Sequence, residues 1–204
     1  MSIGRLFIIS APSGAGKTSL VKRLLAEMQE LIVSTSHTTR SIRPGEIHGQ
    51  DYYFVSVESF EVMLKQQAFL EYAKVFDNFY GTEKAKVTQA LSLGIDVILE
   101  IDWQGAQQIK TLLTECISIF ILPPSIEVLQ QRLTNRGQDS QETIARRMRD
   151  AMLEMSHYNE FDYLIVNDVF EQALFELKSI IVSYRLQRDR QREKLQPLLD
   201  QLIC

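Results

Sequence analysis

Short apolar runs alternate along the chain with stretches of helical spacing. Leu6-Phe7-Ile8-Ile9 is a continuous apolar run, the texture of a strand buried on both faces. Leu20, Val21, Leu24, Leu25 and Met28 then recur at the spacing of one helix face. Leu31 to Ser36 predicts a strand, Tyr52 to Val57 alternates toward another, and Phe60, Met63 and Leu64 space as a helix. Phe69 to Phe76 returns to strand texture, and Asn78-Phe79-Tyr80-Gly81-Thr82 reads as a turn. A helix is expected from Thr82 to Leu93, with Gly94 as its C-terminal cap. Val97 to Ile101 predicts an apolar strand interrupted by Glu100 and closed by Asp102, followed by a helix over 104–113. Ile117 to Leu122 is a strand ending at Pro123-Pro124, and Ser125 caps a helix running toward Arg136. Asp139 with Glu142 marks the start of a helix reaching about His157. Tyr163 to Val166 is the next strand, and Phe170 to about Leu199 is helical with at most one break.

Apolar strands alternating with helices predict an α/β fold, a parallel sheet flanked by helices. The stretch 37–93 breaks the rhythm, being mixed strand and helix with many aromatic residues. The expected organisation is a core of 1–36 and 94–204 with an inserted lobe over 37–93.

The first strand leads into Ser10-Ala11-Pro12-Ser13-Gly14-Ala15-Gly16-Lys17-Thr18 and then a helix, the layout of a phosphate-binding loop. Gly14 and Gly16 let the backbone turn several N–H groups into one concavity. The helix N-terminus adds positive potential. Lys17 brings a mobile charge for the outer phosphates, and Thr18 a hydroxyl for Mg²⁺. Ala11 stands where the usual pattern opens with Gly, which negative φ permits. A dinucleotide-binding turn fits less well, because Ser19 replaces its third Gly and Lys17 has no place in it.

Composition narrows the classes. With 45% apolar and 24% charged residues, this is the make-up of a soluble globular domain. A net charge of −4 argues against nucleic acid or an anionic membrane as the main partner. No apolar run is long enough to span a bilayer, and the first residues lack a signal pattern, so the expected address is the cytoplasm. Cys116 and Cys204 form no disulfide framework; Cys116 beside Ile117 is expected to be a small buried hydrophobe. His37, His48 and His157 lack metal-ligand spacing, so no structural metal is expected.

Parallel α/β sheets bind ligands at the carboxyl ends of their strands. Besides Lys17 and Thr18, that end should carry Glu100 and Asp102, two apart and hence on one strand face. A carboxylate such as Glu100 inside an apolar run is costly unless paired. Arg132, Arg136, Arg146 and Arg147 follow, residues suited to neutralising a transferring phosphoryl group; for Arg146 alone a solvated helix face is the better account. Arg185, Arg188, Arg190, Arg192 and Lys194 with Asp189 and Glu193 read as a solvated helix face that could also carry a homo-oligomer interface.

Taken together the motifs are specific. The loop Ser10 to Lys17, Ser36-His37-Thr38-Thr39-Arg40, Arg43-Pro44-Gly45-Glu46, Asn78 to Thr82, Asp102-Trp103-Gln104-Gly105 and Ile165-Val166-Asn167-Asp168 resemble guanylate kinases of bacterial type, from about Leu6 to Tyr184. The resemblance implies the nucleoside monophosphate kinase fold, with a lobe that closes over GMP and a short arginine-rich lid over about 133–147. It also implies Mg²⁺-dependent transfer of the ATP γ-phosphate to GMP and dGMP. By the same resemblance Ala11, Pro12, Ser13, Gly14, Ala15, Gly16, Lys17, Thr18, Ser19, Arg132 and Asn167 are placed on ATP, with Thr18 on the metal. Arg40, Arg43, Tyr52 and Tyr80 are placed around the GMP phosphate; Ser36, Glu71, Thr82 and Asp102, with Glu100, are placed on the GMP side. Lys17, Arg136 and Arg147 take the catalytic charge, and His37 takes no catalytic role. Two rival readings stand beside this one: a non-catalytic module of similar fold, and a kinase for another acceptor. Lys17, Thr18, Arg136 and Arg147 argue against the first, and Glu71 with Asp102 against the second.

Overall fold

The computed structural model describes residues 3–75, 77–134 and 141–203. In chain order the strands and helices are β1 (Leu6–Ser10), α1 (Lys17–Glu27), β2 (Leu31–Val33), β3 (His37–Thr38), β4 (Tyr53–Phe54), α2 (Val57–Lys65), β5 (Phe69–Val75), β6 (Asn78–Glu83), α3 (Lys84–Ser92), β7 (Asp96–Glu100), α4 (Trp103–Leu112), β8 (Ile117–Leu122), α5 (Ile126–Thr134), α6 (Gln141–Ser156), β9 (Tyr163–Val166), α7 (Phe170–Arg185) and α8 (Arg188–Ile203). Among the described residues, no helix is long and apolar enough to cross a membrane.

β1 is the centre of a five-stranded sheet of order β2-β7-β1-β8-β9, in which all pairs are parallel. Strand side chains alternate between faces, so β1 feeds two cores. Phe7 and Ile9 join Leu20, Val21 and Leu24 of α1 and Leu174, Leu177 and Ile181 of α7. Leu6 and Ile8 join Val87 and Ala90 of α3 and Ala106 and Ile109 of α4. Helices therefore cover both faces, and all five strands send their carboxyl ends to one side. Cys116 is half-buried against the second of these clusters.

Strands between His37 and Glu83 build a second sheet of order β4-β3-β6-β5, while α3 packs on the first. The predicted strand over Leu31 to Ser36 is shorter than expected because the chain changes sheets there. Ser34 still donates to Ile98 O, while Ser36 O accepts from Tyr53 N in the second sheet. The expected turn at Asn78 to Thr82 is instead strand β6, paired with β5 and β3. Gly81 is there for space: an added Cβ would meet the Phe69 and Phe60 rings at 2.9 and 3.0 Å. Those rings stack 4.5 Å apart in the lobe core. The tight connection is made nearby, where Asp77 takes a φ of 68°. Gln108 of α4 docks the lobe by pairing with the exposed edge of β5: its amide donates to Tyr72 O at 2.7 Å and accepts from Tyr72 N at 3.2 Å.

The C-terminal arginines are not all solvated, as the charge pattern had suggested. Arg185 and Arg190 reach the fully buried Asp96 at 2.8 and 2.7 Å, and the Arg5 amide donates to the same carboxylate at 2.7 Å. The pairing joins α7 and α8 to the start of β7. Removing one partner of a buried charge network strands the others, which costs about 3–5 kcal/mol. Asp96→Ala is therefore expected to lower the unfolding free energy by about that amount in urea titrations. A loss under about 1 kcal/mol would mean that these contacts carry no more than surface pairs do.

Candidate functional site

The phosphate loop leaves the buried end of β1 at Ser10 and closes at the first turn of α1. Gly14 and Gly16 have φ of 95° and 94°, the left-handed region that only glycine enters cheaply. Gly16 also has no room for a side chain, since a Cβ would lie 2.3 Å from Asn167 Nδ2. Ala11 is not among the residues with positive φ, so its methyl group is accommodated. The loop is fixed from below by Ala15 N donating to Pro12 O, and from the side by Asn167 Nδ2 donating to Ala15 O at 2.7 Å. Lys17, Thr18 and Ser19 then open α1, with Thr18 and Ser19 exposed.

Three carboxylates from three elements lie within the field of the Lys17 ammonium. Glu100 ends β7, Asp102 caps the N-terminus of α4 by accepting from Gly105 N at 2.9 Å, and Glu154 comes from α6. The strand ends at Glu100, so Glu100 and Asp102 do not share a strand face as their spacing suggested; a helix cap turns Asp102 to the same charge instead. Burial raises the pKa of all three, and Lys17 opposes the rise. Oε1 of Glu100 and Oε2 of Glu154 are buried with no hydrogen-bond partner. Glu100 also faces Tyr52 of the lobe, whose hydroxyl is pushed up to about 12, first by burial and then by that carboxylate. Glu100 thus stands between the phosphate loop and the lobe.

Inside the lobe the predicted residues meet. Ser36 and Thr82 hydroxyls are 3.3 Å apart, and Thr82 donates to Glu71 Oε1 at 2.5 Å. All three side chains are buried. Gly105 makes room for this carboxylate: a Cβ there would lie 2.7 Å from Glu71 Oε2. Burial pushes the Glu71 carboxyl up to about 7; the Thr82 hydroxyl opposes this and Asp102 adds to it. Arg40 lies over the Tyr52 and Phe54 rings and binds Glu46 through both ends of its fork, at 3.0 and 2.7 Å. Tyr80 packs edge-on against Tyr52. Arg43 is exposed, and its amide donates to Glu46 at 2.8 Å. One glutamate therefore gathers both arginine segments.

On the far side of the loop, Arg132 of α5 donates to Asn167 O at 3.0 Å. With Gly14, Gly16, Ser19, Asp168 and Phe170 the two line an open cavity of about 300 Å³. The bond from Asn167 Nδ2 to the phosphate loop fixes how this amide is turned beside the cavity. Arg147 is half-buried on α6. Arg136 lies outside the described residues, and of the region expected as a lid only the last turn of α5 and the first turns of α6 are described. Glu46, Gly105 and Glu154 were not predicted as site residues. Glu46 and Gly105 sat within the quoted motifs, but only the fold shows their partners. For Glu154 the signal was its helical spacing from Asp150 and Arg147.

Glu71 yields a test by linkage. Its pKa is higher in the folded chain than in the unfolded one, so the fold holds this proton more tightly. Stability is then lost as pH rises from the ordinary carboxyl range through about 7. Glu71→Gln is expected to unfold at higher urea than the unmodified protein at pH 8, by up to about 3 kcal/mol. The gap should close toward pH 4; an equal difference at both pH values would contradict the burial of an ionisable group there.

The comparisons with known proteins agree with this geometry. The family model described as guanylate kinase matches residues 3–184. A guanylate kinase of Methylococcus capsulatus is 56% identical over 203 residues, covering 100% of both chains. One of Shewanella denitrificans is 60% identical over 184 residues, covering 90% of this chain and 89% of its own. The crystal structure of guanylate kinase from Anaplasma phagocytophilum superposes with a TM-score of 0.78 at 32% identity, over 97% of this chain and 96% of that one. A loop built for phosphate at one end of β1, a buried hydroxyl–carboxylate cluster in the lobe and these matches along the whole chain place it in the guanylate kinase family.

Proposed function

We propose that the chain transfers the γ-phosphate of ATP to GMP, and to dGMP, giving ADP and GDP. The observation that carries this reading is the buried Ser36–Thr82–Glu71 cluster beside Asp102. Guanine presents N1–H and N2–H₂ as adjacent donors and O6 as an acceptor. Glu71, with Asp102, accepts from the two donors, and a hydroxyl of Ser36 or Thr82 donates to O6. Adenine has a lone pair at N1 and no amine at C2, so it would leave the carboxylate unpaired. Each bidentate contact of this kind discriminates by about 1–3 kcal/mol, and buried groups left unpaired increase the rejection.

The GMP phosphate is taken by Arg40, Arg43, Tyr52 and Tyr80. The guanidinium fork that Glu46 occupies at 3.0 and 2.7 Å is the one a phosphate dianion would take. ATP rests its phosphates along the loop from Ala11 to Ser19, where the N–H groups at the start of α1 can donate, and its adenine in the cavity of Arg132 and Asn167. Lys17 and Arg147 stabilise the charge on the moving phosphoryl group, and Arg136 joins them on the strength of the resemblance alone. The acceptor oxygen is already anionic, so no strong base is required. Lobe closure over the base brings that oxygen to Pγ and keeps water out.

Mg²⁺ fits the donors present. The exposed Thr18 hydroxyl would hold it, and Glu100 Oε1, buried without a partner, suits one of its waters. Held there, Mg²⁺ would supply positive charge to offset that of the outer phosphates.

A coupled ADP-release assay with ATP and Mg²⁺ tests the function, offering GMP, dGMP, AMP, CMP and UMP in parallel. Turnover confined to the guanine nucleotides is expected. Turnover with the other three would sink the base pocket, and no turnover with any acceptor from folded protein would favour a binding module. Lys17→Ala should lower kcat at least about 10²-fold with the fold intact. Near-normal turnover would contradict the role given to the loop.

A further inference from the structure

Glu154 takes no part in the transfer proposed above, although it lies beside the phosphate loop. It sits on α6, the helix that also carries Arg147. Arg147, Asp150 and Glu154 are spaced three and four apart, so they lie along one helical face. Ala151, buried against Leu129 and Leu133 of α5, fixes how that helix is turned. The Glu154 carboxylate accepts from the backbone N–H of Ser13 in the phosphate loop and lies within the field of Lys17 of α1, Asp102 at the cap of α4 and Asp150 of its own helix. One of its oxygens and one of Asp150 are buried with no hydrogen-bond partner. A carboxylate so placed works against the fold: burial pushes it up to about 7, with Asp102 and Asp150 adding to the rise while Lys17 and the Ser13 amide oppose it. A group kept at a cost to stability, beside the lysine of a phosphate loop, points to work in the reaction.

We propose that Glu154 is a positioning residue for phosphoryl transfer: its carboxylate aims the Lys17 ammonium at the γ-phosphate site and draws α6, with Arg147, onto the phosphate loop. The inference rests on the phosphoryl-transfer reading above. Lys17 has a long, flexible stem, and loss of aim by about 1 Å at such a centre costs about 10²-fold in rate. Glu100 and Asp102 attract the same ammonium from the sheet side, but each is also tied elsewhere, Glu100 facing Tyr52 and Asp102 capping α4. Glu154 is the carboxylate of the three that joins Lys17 to the arginine-bearing helix.

The test compares Glu154→Gln, which keeps the shape and loses the charge, with Glu154→Asp, which keeps the charge and shortens the reach. Both are assayed for kcat and for the KM of ATP and of GMP, and melted at pH 8. The expected result is a kcat about 10- to 100-fold lower for Glu154→Gln, with a GMP KM within about threefold of the unmodified protein. Glu154→Asp should recover part of the loss. Because the ionised carboxylate is buried at a cost, Glu154→Gln should melt at the same or a higher temperature at pH 8. A packing role predicts the opposite order, Gln better than Asp in turnover and lower than the parent in melting. The proposal is overturned by that order, by a Glu154→Gln kcat within about twofold of the parent, or by failure of that variant to fold. The unmodified protein in the same assay separates the two readings. If it releases no ADP with GMP, the phosphoryl-transfer reading falls and takes this one with it; if it is active and Glu154→Gln equally so, only this inference falls.

Discussion

Charge brought together at the carboxyl ends of five parallel strands is what the rest of this structure serves. A phosphate loop gathers amide dipoles, a helix N-terminus and the Lys17 ammonium into one small volume. Unbalanced, so much positive potential would repel itself and invite any anion. Glu100, Asp102 and Glu154 balance it from three directions, yet each is held partly out of water and each has its pKa raised. The site is therefore poised rather than neutralised. One oxygen each of Glu100 and Glu154 is buried with no hydrogen-bond partner.

The second sheet buries a carboxylate of its own. Glu71 is buried on β5 opposite Thr82 of β6, with one oxygen met by the Thr82 hydroxyl and the other in the space that Gly105 leaves. α4 ties the two centres together. Its cap, Asp102, faces both Lys17 and Glu71, and its Gln108 holds the edge of β5. A shift of α4 would therefore disturb the surroundings of Lys17 and of the Ser36–Glu71–Thr82 cluster at once.

Much of this could be read from the chain because the signals were local. The run Leu6 to Ile9 and the glycines before Lys17 specify strand, loop and helix within a few residues. The parallel sheet followed from five apolar strands separated by helices. What failed depended on distant partners. Gly81 looked like a turn residue because the rings of Phe60 and Phe69 that demand its small size cannot be seen from Asn78 to Thr82. Arg185 and Arg190 looked solvated because Asp96 lies far back in the sequence. Asp102 was paired with Glu100 by strand spacing, although the strand had already ended and a helix cap set its direction. Glu154 sat in a charged helix where any glutamate is unremarkable until its neighbours are known. The assembly of Ser36, Glu71 and Thr82 was reached only through the resemblance, since no one of the three carries a signal alone.

The central claim is that guanine binds by pairing its N1–H and N2–H₂ with an ionised Glu71 that burial holds up to about 7. Two new donors would pull that carboxyl back down and release its proton. Calorimetry of GMP binding at pH 7 in buffers of different ionisation enthalpy measures this directly. The account predicts that the protein releases about half a proton more than Glu71→Gln does. Equal proton release from the two proteins, with GMP bound to both, would contradict it.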